Sequence, residues 1–408
     1  MVDTELYLSP EDNLVLDRLR ENGEAWIVGG WVRETLLMTE SKSDLDIATT
    51  LLPKEVIEIF PRTIPVGEEY GTVIVRLDGE SEKQWEVTTL RKDGTYGDGR
   101  RPDNVSFGTN IIDDLARRDF TINAMAIGID NELIDIFGGK NDLKHNIVRA
   151  VGNANKRIAE DGLRILRAFR FLDLGGDDLR VLDSELELAI KENIEMLEKV
   201  SKERITEEIR KILSGKNSYG ILLKMKELGV LNYILNDLSV EIEDLGEASS
   251  MVILARFLRN NECNGEQLTE ILKQRLILTK KEIGQISFLH ENRNLKFDYS
   301  LESIRRFQVL LSKEQKISIL QYHNDEKFIE KYKNLGNGEE IMQPILNGTK
   351  ISEITGIKPS RKLGLLKEWL FRIQIEQNIQ KEEKIIQILD EINWNDSDPE
   401  SWPRLSWP

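Results

Sequence analysis

The sequence predicts an α/β head followed by a long all-α remainder. Up to about residue 148, strand-like and helix-like runs alternate. After residue 150, apolar residues recur at helical spacing almost to the end. Length supports more than one domain. The 408 residues exceed one typical domain and suggest two to four, and 40% hydrophobic residues suffice to bury real cores.

The elements follow in order. Ser9, then Pro10, Glu11 and Asp12, reads as a helix cap and first turn. "AWIVGG" reads as a strand entering a glycine turn, and "WVRETLLM" as a helix. "DLDIATT", "GTVIVRL" and "KQWEVTTL" read as strands. "GDGRRPDN", residues 97 to 104, reads as a mobile loop. "RIAEDGLRILRAFRFL", "KERITEEIRKIL" and "SYGILLKMKEL" read as helices. The final "NDSDPESWPRLSWP" reads as a frayed tail. There is no repeat of fixed period and no low-complexity tract.

Net charge is −16, which argues against a nucleic-acid partner on general electrostatics. Residues 91 to 170 are the exception, with 14 Lys/Arg against 12 Asp/Glu. The single cysteine, Cys263, allows no disulfide framework or zinc-ligand cluster within the chain. The acidic, polar start is no signal peptide, and no apolar run approaches the ~20 residues of a membrane helix. The expectation is a soluble cytoplasmic protein.

"KSDLDIATT" places Asp44 and Asp46 one residue apart in a short strand, hence on one face. Either water solvates both charges, or a cation sits between them. Magnesium commonly takes one or two carboxylates plus phosphate oxygens. Upstream, Gly29 and Gly30 end a strand before a helix. That is either a tight turn or a place where backbone N–H groups approach a phosphate, with Arg33 in reach of the same anion. Turn and carboxylate pair together imply metal-assisted nucleotidyl transfer. In "DDLARRDFTINAMA", Arg117 and Arg118 are consecutive and cannot share a helical face. One would meet triphosphate and the other acidic protein. Asp119 and Asn123, at i, i+4 spacing, either bond a ribose or cap a helix.

"GGWVRETLL", "DLDIATT", "RRDFTINAMA" and "AEDGLRILRAFRF", in this order, resemble a class II tRNA nucleotidyltransferase. That is the CCA-adding branch of the poly(A) polymerase group, in the DNA polymerase beta superfamily. The similarity is dense from about 25 to 215. It implies an α/β nucleotidyltransferase head, a mixed sheet with helices, followed by an all-α neck, body and tail. The corresponding boundaries are 1–148, 149–238, 239–333 and 334–408, with the tail binding tRNA. The resemblance implies that Gly30 and Arg33 contact the incoming nucleotide and that Asp44 and Asp46 hold Mg2+. Arg118 meets the nucleotide phosphates and Asp119 the ribose. The family's usual "VRD" is "VRE" here, with Glu34. Glu86 is the candidate third carboxylate by pattern; a partner for Arg91 or a solvated strand residue is the alternative, so it stays outside the metal set.

Choice of C and A without a nucleic-acid template falls to Asp161 and Arg164, read as neighbours on one helical face. An aspartate accepts and an arginine donates. Cytosine and adenine each offer an amino donor beside a ring-nitrogen acceptor, whereas uracil and guanine present the opposite polarity. Leaving such buried groups unpaired costs ~1–3 kcal/mol apiece. The alternative is an i, i+3 salt bridge on a solvated helix. The family pattern adds Arg167 and Arg170 as nucleotide contacts. Rotation of about 60° per step of three would point Arg170 nearly opposite Asp161, where helix packing or tRNA phosphate also fits. The loop 92 to 104 is the expected moving part in the switch from C to A. "SKERITEEIRKIL" resembles a further family motif and is expected to buttress the neck without chemistry of its own.

In the helical remainder, "GIKPS" precedes a helix carrying Arg361 and Lys362, either a phosphate-backbone contact or an ordinary turn. His145, His290 and His323 are the only histidines. None is followed by aspartate, so an HD-type phosphohydrolase, histidine catalysis and a zinc site are not expected. The sequence thus points to a CCA-adding enzyme taking CTP and ATP with tRNA. The alternatives are a poly(A) polymerase, a partial enzyme adding only CC or only A, and a catalytically silent tRNA-binding module.

Overall fold

Local signals set where the first elements begin. In the computed structural model, Ser9 caps α1 (Pro10–Arg20) with a reciprocal capping box to Asp12. Asp12 also accepts from the indole N–H of fully buried Trp85 at 2.8 Å and pairs with Lys83 at 2.8 Å. One residue thus caps a helix and ties it to the sheet. The structure describes residues 8–38, 44–66, 71–77, 83–94, 105–108, 110–173, 178–235, 238–244, 246, 248–335 and 342–408. Most of the expected loop at 92–104 falls outside them.

The described residues form two compact units. The first runs to Leu238 and takes in Arg275–Ile277. Its sheet uses β1 (Ala25–Val28), β2 (Asp46–Thr49), β3 (Arg62–Pro65), β4 (Thr72–Arg76) and β5 (Gln84–Thr89). A separate hairpin pairs β6 (Arg91–Asp93) with β7 (Val105–Phe107), and β8 (Ala126–Ile127) and β9 (Leu133–Ile134) complete the main sheet. The strand order is β3-β4-β5-β2-β1-β8-β9. The sheet is mixed, because β2 and β5 run parallel while β1 and β2 run antiparallel. α2 (Gly30–Leu36) follows β1, and α3 (Pro53–Ile59) follows β2. α4 (Ile111–Ala116) and α5 (Gly139–Lys144) close the head.

Helices α6 (Ala154–Glu160), α7 (Leu163–Arg170), α8 (Ser184–Glu192), α9 (Lys202–Leu213), α10 (Ser218–Glu227) and α11 (Val230–Leu235) follow. Strand is not wholly absent there. Val181–Leu182 pairs in parallel with Ile147–Val148, and Arg149 binds both Asp142 and Asp183 at this junction.

The second unit, Ser239–Gln274 with Leu278–Pro408, is helical. The frayed-tail expectation fails here. Trp402 is buried, its ring 5.5 Å from that of Trp369, and Trp407 packs on Phe307 at 4.9 Å. The polar spacing hid two large aromatic surfaces that burial rewards. Gly356, at φ +72, ends one helix, and Ser360 caps the next, Arg361–Gln377. Arg361 pairs with Glu400 at 3.0 Å, and Lys362 lies 5.8 Å over Trp394.

Candidate functional site

The glycine turn and the acidic pair meet where β1 ends beside the start of β2. Val28 of β1 lies opposite Asp46, the first residue of β2. Gly29 then turns the chain at φ +76, and a Cβ there would stand 2.8 Å from Asp46 Oδ2. Backbone angle and space both demand glycine. On the other side of β2, Glu86 of β5 is in register with Asp46, so their side chains share a face. Asp44 is not in the strand as expected. β1 leaves the ladder at Gly29, so β2 pairing begins only at Asp46, and Asp44 precedes it, exposed.

Burial pushes the Asp46 carboxyl up to about 6, and the negative charges of Glu86 and Asp44 add to the rise; Arg118 and Arg33 oppose it. Burial and neighbouring like charge both penalise the ionised carboxylate, a cost that a hard cation would relieve. Among the described residues, no set of three or more His, Cys, Asp or Glu is arranged to hold a metal by itself. The pair therefore fits a cation that takes its other oxygens from water and phosphate, as magnesium does.

The site opens into a cleft of about 1180 Å³ lined by nine cationic and six anionic side chains. A chain of net charge −16 thus carries a positive cleft, suited to a phosphate-rich ligand. Gly30, Arg33, Asp44, Asp46, Arg118, Asp119, Asp161, Arg164, Arg167 and Arg170 all line it.

Their mutual geometry departs from several expectations. α4 ends at Ala116, so Arg117 is its C-cap and Arg118 lies beyond. The helical-face argument does not apply. Both arginines reach buried Asp114, Arg117 at 2.6 Å and Arg118 at 3.3 Å. Asp119 and Asn123 are not one helical turn apart either, because only a short 3-10 helix, Thr121–Asn123, lies there. The Asp119 carboxylate accepts from the Phe120 N–H at 2.8 Å, from Asn123 at 3.2 Å and from Arg167 Nε at 2.7 Å. Burial alone would raise its pKa. The Arg167 charge and these bonds outweigh that and hold it below the usual range. Asn123 in turn accepts from Arg33. A chain of bonds therefore runs Arg33–Asn123–Asp119–Arg167.

The largest correction concerns the expected base-reading pair. α6 ends at Glu160, and Asp161 is its C-cap in extended conformation, φ −152 and ψ 106. α7 starts anew after Gly162. Asp161 and Arg164 therefore do not share one helical face, and the alternative salt bridge between them does not form. Arg164 donates to Glu160 Oε2 at 2.8 Å and to the carbonyls of Arg157 and Arg117 at 2.8 and 3.1 Å. Asp161 pairs with Arg204 instead, at 2.7 Å. The break also cancels the rotation that aimed Arg170 away. Arg170 lines the same cleft and pairs with buried Glu208 at 3.3 Å.

Four of the lining residues, Phe171, Arg204, Glu207 and Lys211, were missed in the sequence. Phe171 carries three guanidinium groups over its ring, from Arg33, Arg167 and Arg170, at 5.2 to 5.3 Å. Arg204, Glu207 and Lys211 of α9 reach the cleft from the segment expected only to buttress. Their spacing of three and four on a helix was the available signal.

Comparison with known proteins is informative. Residues 25–149 match the poly A polymerase head domain. Residues 181–242 match the probable RNA and SrmB-binding site of polymerase A. A CCA-adding enzyme of Limosilactobacillus reuteri is 41% identical over 276 residues, 66% of this chain and 64% of the relative. The chain therefore matches just under two thirds of that relative's length. One from Oceanobacillus iheyensis is 47% identical over 204 residues, 50% of this chain and 49% of the relative. The crystal structure of Bacillus stearothermophilus CCA-adding enzyme in complex with CTP superposes with a TM-score of 0.74 at 26% identity. It covers 94% of this chain and 98% of that one.

Proposed function

We propose that the chain is a class II tRNA nucleotidyltransferase of the poly A polymerase group and that it adds C, C and A to the tRNA 3′ end from CTP and ATP. The observation that carries the reading is the Asp44–Asp46 pair facing an arginine-lined cleft beside the Gly29 turn. In the reaction the 3′-oxygen of tRNA bonds to the α-phosphorus and loses its proton, while the α–β phosphoanhydride bond breaks and pyrophosphate leaves. Mg2+ held by Asp44 and Asp46 would supply Lewis acidity toward the attacking hydroxyl and the phosphate oxygens.

The chain's own residues do the positioning. The Gly29–Gly30 backbone lets the triphosphate approach closely. Arg33 and Arg118 neutralise phosphate charge. Asp119 takes the ribose role, and Arg167 fixes its orientation. Asp161, Arg164, Arg167 and Arg170 form the nucleotide-selecting wall. The head at 1–148, neck at 149–238, body at 239–333 and tRNA-binding tail at 334–408 complete a cytoplasmic enzyme. No helix among the described residues is long and apolar enough to cross a membrane.

The test is incubation of the protein with tRNA lacking CCA, giving CTP and ATP singly and together. Ordered addition of two C and one A is the expected result. Unlimited A addition would instead indicate a poly(A) polymerase, and no incorporation by Mg2+-supplied protein would indicate a tRNA-binding module.

A further inference from the structure

Arg204 holds the Asp161 carboxylate with a fork. Its Nη2 donates to Oδ2 at 2.7 Å and its Nη1 to Oδ1 at 3.2 Å. Oδ1 also accepts the backbone N–H of Leu163 at 3.1 Å. A carboxylate has about four acceptor positions, so one remains. Two parallel bonds fix the plane of a carboxylate, which a single bond does not. Arg164 contributes nothing to this orientation, because its bonds go to Glu160 and two carbonyls. Both Asp161 and Arg204 line the cleft.

We infer that Arg204 is a positioning residue for nucleotide choice: its fork sets the plane of Asp161 so that the one free acceptor position faces the amino group of cytosine or adenine. This rests on the proposed base-reading role of Asp161. Held this way, Asp161 can accept but never donate, so a uracil or guanine carbonyl meets an acceptor. Without the fork the carboxylate is tied only to the Leu163 N–H and turns about that bond, and the polarity test at the base edge weakens.

The experiment is single-nucleotide extension of tRNA ending in the discriminator base, with CTP and UTP compared in wild type, Arg204→Ala, Arg204→Lys, Asp161→Ala and the Arg204→Ala/Asp161→Ala double variant. Thermal melting and tRNA binding report folding. Arg204→Ala should lower the CTP-to-UTP preference roughly tenfold or more, since each mispaired buried group costs on the order of 1–3 kcal/mol. Arg204→Lys, a point charge without the fork, should fall between. The double variant should be no less selective than Asp161→Ala, because both changes remove one device. If Asp161→Ala loses selectivity while folded Arg204→Ala and Arg204→Lys keep the wild-type ratio, the fork is only a staple between α9 and the end of α6 and the inference is overturned. Should Arg204→Ala fail to fold, Arg204→Lys alone decides by the same ratio. If Asp161→Ala itself keeps the ratio, the base-reading role of Asp161 fails and the inference falls with it.

Discussion

Asp46 is held where its own charge is penalised. Its carboxyl is pushed up to about 6 in the fold, first by burial, from an ordinary value of 3.8. A group raised on folding contributes stability below the unfolded value and loses it as pH rises through the folded one. Above about pH 6, then, ionised Asp46 works against the fold by on the order of 1–3 kcal/mol, allowing for its partial exposure. Asp46→Asn should therefore melt at a higher temperature than wild type at pH 7.5 in EDTA, while losing nucleotide incorporation. Mg2+ should raise the melting temperature of wild type and leave the variant unmoved. Equal melting of the two proteins in EDTA would show that the carboxylate is not strained. Asp44→Ala and Asp46→Ala should each abolish addition of both C and A with tRNA binding retained. Robust incorporation by Asp46→Ala in Mg2+ would remove the metal assignment.

At the scale of elements, the decisive feature is the break between α6 and α7. A Cβ on Gly162 would lie 2.3 Å from the carbonyl oxygen of Met196, which sits in a short 3-10 helix, Ile194–Lys199. Gly162→Ala must push these segments apart, at a cost of about 1–3 kcal/mol. It should reduce selection between CTP and UTP as well, because Asp161 and Arg164 flank the break. Denaturant unfolding and the same extension assay measure both effects, and a variant with wild-type stability would contradict the contact. The break also shows what sequence could and could not reveal. The α1 cap, the strand ends around Gly29 and the change of pattern near residue 150 are local, and their residues announce them. The 3.6-residue periodicity runs straight through Asp161 and Gly162, so the pattern read as one helix. The break lies in the extended backbone of Asp161, and the neighbour that crowds Gly162 is a carbonyl more than thirty positions away. The partner of Asp161 is hidden for the same reason, since Arg204 is 43 residues on. Many of the cleft's residues were legible, but Phe171, Arg204, Glu207 and Lys211 were not, and neither was the pairing. The tail misled differently, because its many Asp and Ser residues outweighed the tryptophans in a reading by polarity. Trp402→Ala should cost the second unit about 3–5 kcal/mol, which a frayed segment would not show.

At the scale of the whole molecule, the two units carry opposite responses to acid. In the first, protonation of Asp46 as pH falls through about 6 toward 3.8 relieves the cost of its burial and of the neighbouring Glu86 charge. Its paired carboxylates Asp12, Asp114 and Asp119 are held below 3.8, so they lose their contribution only below that value. In the second unit, His323 is pushed down to about 4, first by burial and then by the Arg256 charge, against a weaker pull from Asp325. His290, fully buried with its Nε2 2.9 Å from the Cys263 carbonyl, is lowered by burial too. A histidine lowered on folding leaves stability untouched above 6.5. As pH falls below 6.5 the unfolded chain takes up a proton that the folded chain refuses, until about 4 for His323. Calorimetric unfolding in EDTA should therefore change in two directions between pH 7.5 and 5. The transition of the second unit should move to lower temperature, while that of the first should hold or rise. Two variants assign the transitions: Asp46→Asn should remove the acid response of the first, and His323→Phe should blunt that of the second. A pair of transitions falling together, with neither variant altering its own, would mean that these buried groups do not control the acid stability of their units.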